Sequence, residues 1–561
     1  MKLISKITIS IGLFMLLTVA AANAQDIHVY ATGSSPYIGS TGLKQAILDS
    51  ADPGTIYVHS GVYDFGATST SFLTITKSVS LIGHDDGSGK PLIKGARPSG
   101  SPGLVLVNAP NKVVVLENLA FSFYGVRGVG SNDTAVAVVG SDSFTVRNCV
   151  ITSAYFDGTN NTGLASAISI AGPARSELDP MNPAYASRFN VKGEIKIQDS
   201  MLTSWINTIG IGFFGPVSLD SIEVSNCTLK SLGSTQLGEW AKGNFGIVIS
   251  QYPFYMNDAN RSLLVEATHA ATQTTIRNNT ITAPNALWFL YLKGVQRLEK
   301  NRLNSFGSWY SAGKYYQAAI AAFGYPHDIS DPSTYSEAII SDNVIELRVP
   351  AFPIIPGIPF APPQTTNNTS PPVGIWLGVS GRLFFNSAIT GHHAKATVTD
   401  NVFSSNAFSI PSQINDPDYG IYLTSEMNDC LVSGNQLAGG MLRDPIDGRA
   451  SLFRSLTAKV SQLYVDAEVH NNTIHRNTFG FAGIAGVLCH GHDNWFENNH
   501  FIGNYVGWEP GPGLFWLKSA SFANLIVATK LNAPPFGFSI CQQIRDENGM
   551  NNIPGFERCG Q

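Results

Sequence analysis

An eight-residue pattern recurs in the distribution of apolar and polar positions along the chain. Its third and eighth places are apolar, and its fifth and sixth places are small or polar. Eleven copies of this octad begin at Val114, Phe144, Ile195, Ile222, Thr274, Gln296, Ala338, Ala396, Cys430, Ala467 and Asn494. Neighbouring copies start 22 to 58 residues apart. A repeat of this kind is typical of solenoid proteins, in which stacked units bury a continuous core.

Each octad predicts a strand, a sharp turn and a second strand. The turn falls on the fifth place, where ten of eleven residues suit a tight turn and Lys300 is the exception. Asn and Asp suit such a turn because they tolerate the left-handed backbone conformation. The sixth place holds Cys149, Ser200 and Cys227 before it becomes Asn in later copies. Two coils would separate these cysteines by about 9–10 Å, beyond the disulfide limit of about 7 Å, so we expect unbridged thiols.

A third strand, often opened by Gly, follows most octads. Examples begin at Gly210, Gly246, Gly374, Gly420, Gly486 and Gly513. One octad and one such strand make a coil of roughly 22–30 residues. Longer spacings predict loop insertions near residues 349–372 and 440–465, and a short helix could form around Leu452–Leu463 in the second insertion.

The N-terminal part adds an amphipathic segment and several short strand patterns. These are Gly42–Ile47, Asp52–Gly54, Thr55–Val58, Gly61–Tyr63 and Ser78–Gly83. Together with the octads, they make the sequence resemble the pectate-lyase-like superfamily. The resemblance implies an all-β fold, a right-handed parallel β-helix of about ten to twelve coils with an N-terminal helical cap. We place this domain at residues 25–530, followed by a tail at 531–561 that packs on the β-helix or caps it.

The first 24 residues predict a secretory signal peptide. Basic residues lie within Met1–Lys6, an apolar run covers Ile7–Ala20, and a small-residue cleavage site ends at Ala24. The apolar run is shorter than the roughly 20 residues that span a membrane. We therefore expect a secreted protein, periplasmic or extracellular, with no membrane span after cleavage.

Composition limits the classes of partner and of cross-link. Charged residues are 13% of the chain and the net charge is −5, so there is no basic footprint for nucleic acid. Six cysteines are too few for a disulfide scaffold. Cys541 and Cys559 in the tail could form a disulfide or remain free thiols. We expect a monomer whose partner is a polysaccharide.

One tetrapeptide is similar to a catalytic motif of the superfamily. Mannuronan C5-epimerases of this fold carry Asp-Pro-His-Asp, and residues 325–328 read Tyr-Pro-His-Asp, a match at three of four positions. The resemblance therefore implies His327 and Asp328 as candidate catalytic residues; a local hydrogen bond is the alternative. The motif set of polygalacturonases does not occur in order, its only Asp-Asp being Asp85-Asp86, and the Arg-x-Pro-x-x-Arg of many pectate lyases is absent.

The densest polar cluster follows the strand that ends at Cys489. His490, His492 and Asp493 are candidate catalytic residues there, because a His beside an Asp can act as a general base on a sugar C5 proton or help to hold a metal. Zinc normally needs three or four ligands, so the metal is left unassigned, with Ca²⁺ as a candidate cofactor. A turn rich in hydrogen bonds is the alternative. Four coil spacings would put His327 and His490 about 19 Å apart.

Alternation along the Gly-opened strands predicts which side chains face outward. Trp376, Tyr422 and Phe515 would point out as part of an aromatic row for sugar rings, whereas Cys489 would point in. Glu426 and Lys518 would lie near the same face and complete the candidate substrate-binding set. The alternative is that long loops cover these rings.

Two hypotheses of function follow. The first is a secreted carbohydrate-active protein that acts on an extended glycan as a polysaccharide lyase, epimerase or hydrolase. In an elimination, a base removes the C5 proton while Ca²⁺ or a Lys or Arg stabilises the developing charge. The second is a non-catalytic β-helix that binds glycans or displays a surface. The shortage of catalytic motifs favours the second, and the His cluster favours the first.

Overall fold

The structure is a computed structural model. It describes residues 26–66, 72–97, 103–125, 133–153, 165–170, 191–204, 207–212, 217–231, 245–250, 273–305, 309–311, 314–324, 327–328, 335–347, 369–379, 392–393, 395–405, 418–424, 427–437, 460–465, 469–479, 485–501, 515–518, 521–527, 530–531 and 544–553. The predicted signal peptide, Cys541, Cys559 and Glu426 lie outside the described residues, as does most of the two predicted insertions.

Three ladders of parallel strands run along the molecule, and the chain visits them in turn. The first ladder contains Ile27–Val29, Gly54–His59, Val79–His84, Val113–Glu117, the end of Asp133–Arg147, Val191–Gln198, Ser218–Ser225, Gln273–Arg277, Gly294–Glu299, Ser336–Ser341, Lys395–Thr399, Leu431–Ser433, Thr473–His475, Trp495–Glu497 and Leu525–Val527. The second contains Val62–Asp64, Leu92–Arg97, Ala120–Gly125, Val150–Ser153, Met201–Ser204, Thr228–Ser231, Thr280–Ala283, Arg302–Ser305, Val344–Leu347, Val402–Ser405, Gln436–Leu437, Thr478–Phe479, His500–Phe501 and Lys530–Leu531.

The third ladder consists of the strands that close each coil. It contains Leu73–Ile75, Val105–Asn108, the start of Asp133–Arg147, Ala165–Ile170, Ile209–Ile211, Phe245–Ser250, Asn285–Leu292, Lys314–Gly324, Thr369–Val379, Asp418–Leu423, Val460–Val465, Ala485–Cys489, Phe515–Leu517 and Ile544–Asp546. Two short antiparallel pairings join Trp309–Ser311 to Lys314–Gly324, and His327–Asp328 to His392–His393. The chain is therefore a parallel β-helix, which confirms the predicted fold class.

The core lies between the three ladders and is built from the octad's apolar places. In the first ladder, Ile276 pairs with Leu298, Leu298 with Ile340, and Ile340 with Val398. All four side chains are fully buried. Because strand side chains alternate between faces, the row of third-place residues stays on the inner face from coil to coil.

The predicted turns adopt the left-handed conformation that Asn and Asp tolerate. All of the fifth-place residues have positive φ, including Lys300 at 55°. The octad beginning at Ala467 is nevertheless misplaced. Its turn residue Asn471 belongs to a second kind of turn, whereas the register pairs Leu431–Ser433 with Thr473–His475 and puts that coil's octad turn at Arg476. Both turns put Asn directly after the left-handed residue, which explains the mistake.

Buried asparagines in the sixth place form a hydrogen-bonded ladder. The Asn343 Nδ2 donates to the carbonyl of Leu298 at 2.7 Å and to Asn401 Oδ1 at 2.9 Å. Its Oδ1 accepts from the backbone N–H of Asn301 at 2.9 Å. The same bonds recur from Asn279 to Asn499, and a second ladder joins Asn472, Asn494, Asn524 and Asn551. Each amide thereby satisfies the buried backbone at the turn, where the strand ladder is interrupted.

The cysteines in the described part of the chain are buried free thiols. Cys149 and Cys227 are unbridged, as predicted from their spacing, and so are Cys430 and Cys489. Burial raises the pKa of Cys149 to about 11 and that of Cys227 to about 12. These thiols therefore act as small core residues.

At the N-terminal end, an α-helix occupies Gly39–Asp49 and buries Leu43, Ala46 and Ile47. The helix lies where the sequence predicts a cap; that it closes the end of the β-helix stays a prediction. Among the described residues the second ladder has 14 strands, one per coil, against the ten to twelve coils predicted. Val62–Asp64, Leu92–Arg97 and Lys530–Leu531 belong to coils that the eleven octads do not include.

Two segments near the C-terminus contribute strands that the sequence assigned elsewhere. Val460–Val465, which the sequence placed at the end of the second insertion and partly in a helix, is a strand of the third ladder. Ile544–Asp546, in the predicted tail, pairs with Phe515–Leu517. No helix among the described residues is long and apolar enough to cross a membrane.

Candidate functional site

The outer face of the third ladder positions the candidate binding residues. Ile375 and Leu377 point into the core and are fully buried, so Trp376 between them points outward. The register continues this outward position from Trp376 to Tyr422 and then to Tyr464. These orientations agree with the prediction for Trp376 and Tyr422.

Close packing explains why Gly374 precedes Trp376 in the strand Thr369–Val379. A Cβ added to Gly374 would lie 2.6 Å from the carbonyl oxygen of Gly420 and 2.5 Å from the ring of Phe403. Any larger residue would push neighbouring coils apart. Glycine therefore allows neighbouring coils to approach closely beside Trp376.

Four rings in four successive coils form a continuous column, which we call the ring column: Trp376, Tyr422, Tyr464 and His490. The centroids of Trp376 and Tyr422 are 5.9 Å apart, and their planes are stacked at 8°. Tyr464 stands perpendicular to Tyr422 at 4.8 Å, and His490 is tilted against Tyr464 at 5.5 Å. Mutual contacts of this kind hold each ring in a defined orientation.

The ring column is covered at one end and accessible at the other. Trp376 is 5% exposed, because Trp288 and Phe323 pack edge-on against it and Tyr422 stacks on it. Tyr422, Tyr464 and His490 are half-buried. The accessible part of the ring column therefore runs from Tyr422 to His490. Trp376 packs against Tyr422 at the covered end.

The predicted outward orientation of Phe515 is wrong. Phe515 is fully buried and pairs with the core residue Val487, so its side chain points into the core. Counting alternation from Gly513 shifts the strand by one residue, and a shift of one residue exchanges the two faces of a strand. Phe515 is a core residue and has no surface to offer to a substrate.

A charged pair extends the face beyond the ring column. The Lys518 N–H donates to the carbonyl of Cys489, which places Lys518 beside His490 in the next coil, about 4.8 Å along the ladder. Lys518 Nζ lies 3.2 Å from Glu547 Oε1, in the coil after that. Cys489 points into the core, as predicted, and burial raises its pKa to about 12.

His492 and Asp493 belong to a different grouping from His490. His492 Nδ1 lies 2.8 Å from Asp493 Oδ2, and the two side chains are 26% and 50% exposed. The His492 ring stacks on Phe522 at 4.6 Å and on His470 at 5.1 Å. His492 lies in the turn that leads from the third ladder to the first, whereas the His490 ring contacts Tyr464 on the third ladder.

His327 and Asp328 form a two-residue strand of which the structure describes the backbone. His327 pairs with His393 and Asp328 with His392 in an antiparallel ribbon. This ribbon follows the strand Lys314–Gly324, which lies four ladder steps from the strand that precedes His490. Four steps correspond to about 19 Å, the separation predicted from the coil count.

Sequence reasoning missed two members of the face. Tyr464 was hidden in a segment assigned to an insertion, although the alternation Leu463, Tyr464, Val465 is a strand signal. Glu547 lies 29 residues from Lys518, across a stretch without a repeat signal, so no sequence pattern links the two. No group of three or more His, Cys, Asp or Glu side chains in the described part of the chain is arranged to hold a metal ion.

The matches to known proteins are solved structures. No family model and no curated protein matches the sequence. DFA-IIIase from Arthrobacter chlorophenolicus A6, without its lid, is similar with a TM-score of 0.42 and 14% identity, over 80% of this chain and 94% of that one. The periplasmic alginate epimerase AlgG is similar with a TM-score of 0.37 and 10% identity, over 89% and 84%. PfbA, a surface adhesin of Streptococcus pneumoniae, has a TM-score of 0.41 and 11% identity, over 87% and 88%.

Proposed function

We propose that the chain is a secreted protein that binds an extended glycan along the outer face of the third ladder. The ring column carries this proposal, since Tyr422, Tyr464 and His490 offer ring surfaces in three successive coils. A parallel β-helix repeats every 4.8 Å or so, and a linear polymer can therefore meet an equivalent surface at each coil.

The chemistry of the face suits a sugar chain. Tyrosine rings combine an apolar body with a hydroxyl, so they can stack on a sugar ring and bond to its hydroxyl groups. His490 and Lys518 add hydrogen-bond donors at the end of the column. The Glu547 carboxylate beside Lys518 adds an acceptor, and the contact between them holds the ammonium group in place.

A second candidate function is proton transfer on the bound glycan. The hydrogen bond from His492 Nδ1 to Asp493 favours it, because a carboxylate partner orients an imidazole and leaves Nε2 to exchange a proton with a substrate. In lyase or epimerase chemistry, His492 would take the C5 proton and a cation would stabilise the resulting charge.

Binding is tested by screening the mature protein against pectate, alginate, glycosaminoglycans and neutral glycans. For the glycan that binds, we expect Tyr422→Ala and Tyr464→Ala each to raise Kd at least about fivefold, equivalent to about 1 kcal/mol. Trp495→Ala is the matched control, because Trp495 is 46% exposed on the first ladder, away from the ring column. Loss of affinity in the control, with none in the tyrosine variants, would contradict the proposal.

Catalysis is tested separately with the same glycans. Product formation by the wild-type protein, lost in His492→Gln and Asp493→Asn while binding persists, would support the second function. Binding without product in any sample, with and without added Ca²⁺, would leave a glycan-binding β-helix and remove His492 from a catalytic role.

A further inference from the structure

The outer face of the N-terminal coils carries a cluster of imidazole and phenol rings that the proposed function does not use. It consists of His28, His59 and His84 with Tyr30 and Tyr57, and we call it the histidine cluster. His28 lies on Ile27–Val29, the outermost described strand of the first ladder, which pairs with Gly54–His59. His84 ends the following strand, Val79–His84, and pairs with His59. The cluster therefore joins the outermost strand to the next two coils.

A hydrogen bond between two imidazoles links the outermost strand to its neighbour. His28 Nδ1 lies 3.0 Å from His59 Nε2, and the ring centroids are 5.3 Å apart. One ring donates an N–H, and the other accepts it on the lone pair of its ring nitrogen. Tyr57 stacks on His28 at 5.1 Å and Tyr30 stacks on His59 at 4.1 Å, so both rings are restrained in the bonded orientation.

The bond limits the number of protons that the two rings can take up. A neutral pair carries one N–H on each ring, and one further proton can be added to a nitrogen that faces away from the bond. A second added proton removes the accepting lone pair, because both nitrogens of an imidazolium ion are donors. Two positive rings with centroids 5.3 Å apart would also repel each other. The bonded pair therefore takes up one proton in mildly acidic solution, whereas two separated imidazoles take up two.

The surroundings of His59 act in the same direction. Partial burial lowers the pKa of His59, and the neighbouring His84 and His28 lower it further, while Asp86 has the opposite effect. The ring of His84 meets that of His59 edge-on at 4.8 Å. The Tyr63 hydroxyl lies 2.9 Å from the carbonyl oxygens of Val29 and His59, and burial raises the pKa of Tyr63, so this phenol stays uncharged.

Other charged side chains on the elements around the cluster have partners of their own. Lys44 lies over the Phe65 ring, Asp49 accepts from Gln45, Asp64 pairs with Lys94, Asp85 accepts from Gly87, Lys90 donates to Asn148, and Glu117 pairs with Arg147. Asp26, just before the outermost strand, is exposed. The charges that act on His59 are therefore those of His28, His84 and Asp86.

We propose that the His28–His59 bond is a pH-sensitive contact that holds the outermost strand on the first ladder at neutral pH and loosens it in mildly acidic solution. Opening of Ile27–Val29 separates the two imidazoles, so the open form takes up about one proton more than the closed form. Opening leaves Gly54–His59 as the edge of the first ladder, with unpaired N–H and C=O groups.

The direction of the pH dependence follows from the proton count. A free imidazole has a pKa of about 6.5, and the pKa of His59 in the closed form is lower. The contact's contribution to stability is therefore fully present above about pH 6.5 and is lost as the pH falls below that value.

Hydrogen exchange of the mature protein at pH 7.5 and at pH 5.5 tests the proposal, read by mass spectrometry on a peptide that covers residues 26–32. Protection factors remove the intrinsic effect of pH on exchange. One extra proton on the open form predicts that protection of this peptide falls about tenfold between the two pH values. Protection of Gly294–Glu299, in the middle of the first ladder, should change less than about twofold.

His28→Gln and His59→Gln each remove one imidazole and leave a neutral side chain that can form hydrogen bonds, so each should reduce the fall to less than about threefold. His28 is exposed, so its variant keeps the fold. His500→Gln is the control, because His500 lies on the second ladder near the other end of the molecule, and it should keep the full fall. Equal protection of the wild-type peptide at both pH values, or an undiminished fall in both variants, would overturn the proposal. An equal fall in Gly294–Glu299 would also overturn it, because the loosening would then be global.

Discussion

Asn343→Ala tests how much the buried asparagine ladder stabilises the β-helix. The substitution removes the bond that Asn343 Nδ2 donates to the Leu298 carbonyl and the bond that Asn343 Oδ1 accepts from the Asn301 backbone N–H. The Asn301 side chain keeps its bond to Ile276, and Asn401 Oδ1 keeps the bond from the backbone N–H of residue 343. Two buried backbone groups therefore lose a partner, and each such loss costs about 1–3 kcal/mol. We expect the free energy of unfolding of this region to fall by about 3–4 kcal/mol.

Hydrogen exchange is the suitable assay, because repeat proteins open locally and a single unfolding temperature can hide the effect. A loss of 3 kcal/mol corresponds to an increase of about 150-fold in the exchange rate of the amides that open with Asn301. Arg302→Ala, at an exposed neighbouring position, should change stability by less than about 0.5 kcal/mol. An Asn343→Ala effect below about 1 kcal/mol would refute the view that these amides satisfy otherwise unbonded backbone groups.

Three further predictions concern stability. Lys300→Gly should stabilise the protein by about 1 kcal/mol in denaturant unfolding, because Lys300 has a φ of 55°, which is unfavourable for a side chain with a Cβ; a destabilisation would contradict this. Phe515→Ala should destabilise by about 3–5 kcal/mol as a core cavity forms, whereas a change within 0.5 kcal/mol would mean that the ring is at the surface. Burial raises the pKa of Cys227 and of Cys430 to about 12, so the unfolded state loses these thiol protons at lower pH than the folded state. The free energy of unfolding should therefore fall between about pH 9 and pH 12, by up to about 1.4 kcal/mol per pH unit for each thiol. Cys430→Ala should make this pH dependence less steep, and an unchanged pH dependence would contradict the assignment.

The fold was predictable because its strongest signal is local. A left-handed turn followed by a buried amide restricts both positions to few residue types, and the pattern survives loops of any length between coils. Lys300 shows that the coil's packing imposes the turn even where the residue does not favour it. The octad at Ala467 failed because a second turn, at Asn471, has the same pattern.

The candidate site was less predictable because it depends on register and on distant partners. Alternation placed Trp376 and Tyr422 correctly but exchanged the two faces of the strand for Phe515. The reason is that Gly513 lies one residue out of register with the glycines that precede Trp376 and Tyr422. Lys518 was recognised from its place after a strand. Its partner Glu547 comes from the next coil and could not be paired with it before the coils were stacked.

The central claim is that a glycan lies along the ring column, and oxidative footprinting tests it most directly. Hydroxyl radicals would modify aromatic side chains of the mature protein with and without a saturating concentration of the glycan identified by screening. The account predicts protection of Tyr422 and Tyr464, with Trp495 modified equally in both samples, because Trp495 lies on the first ladder. Protection of Trp495 together with unchanged modification of both tyrosines would place the glycan elsewhere and contradict the account.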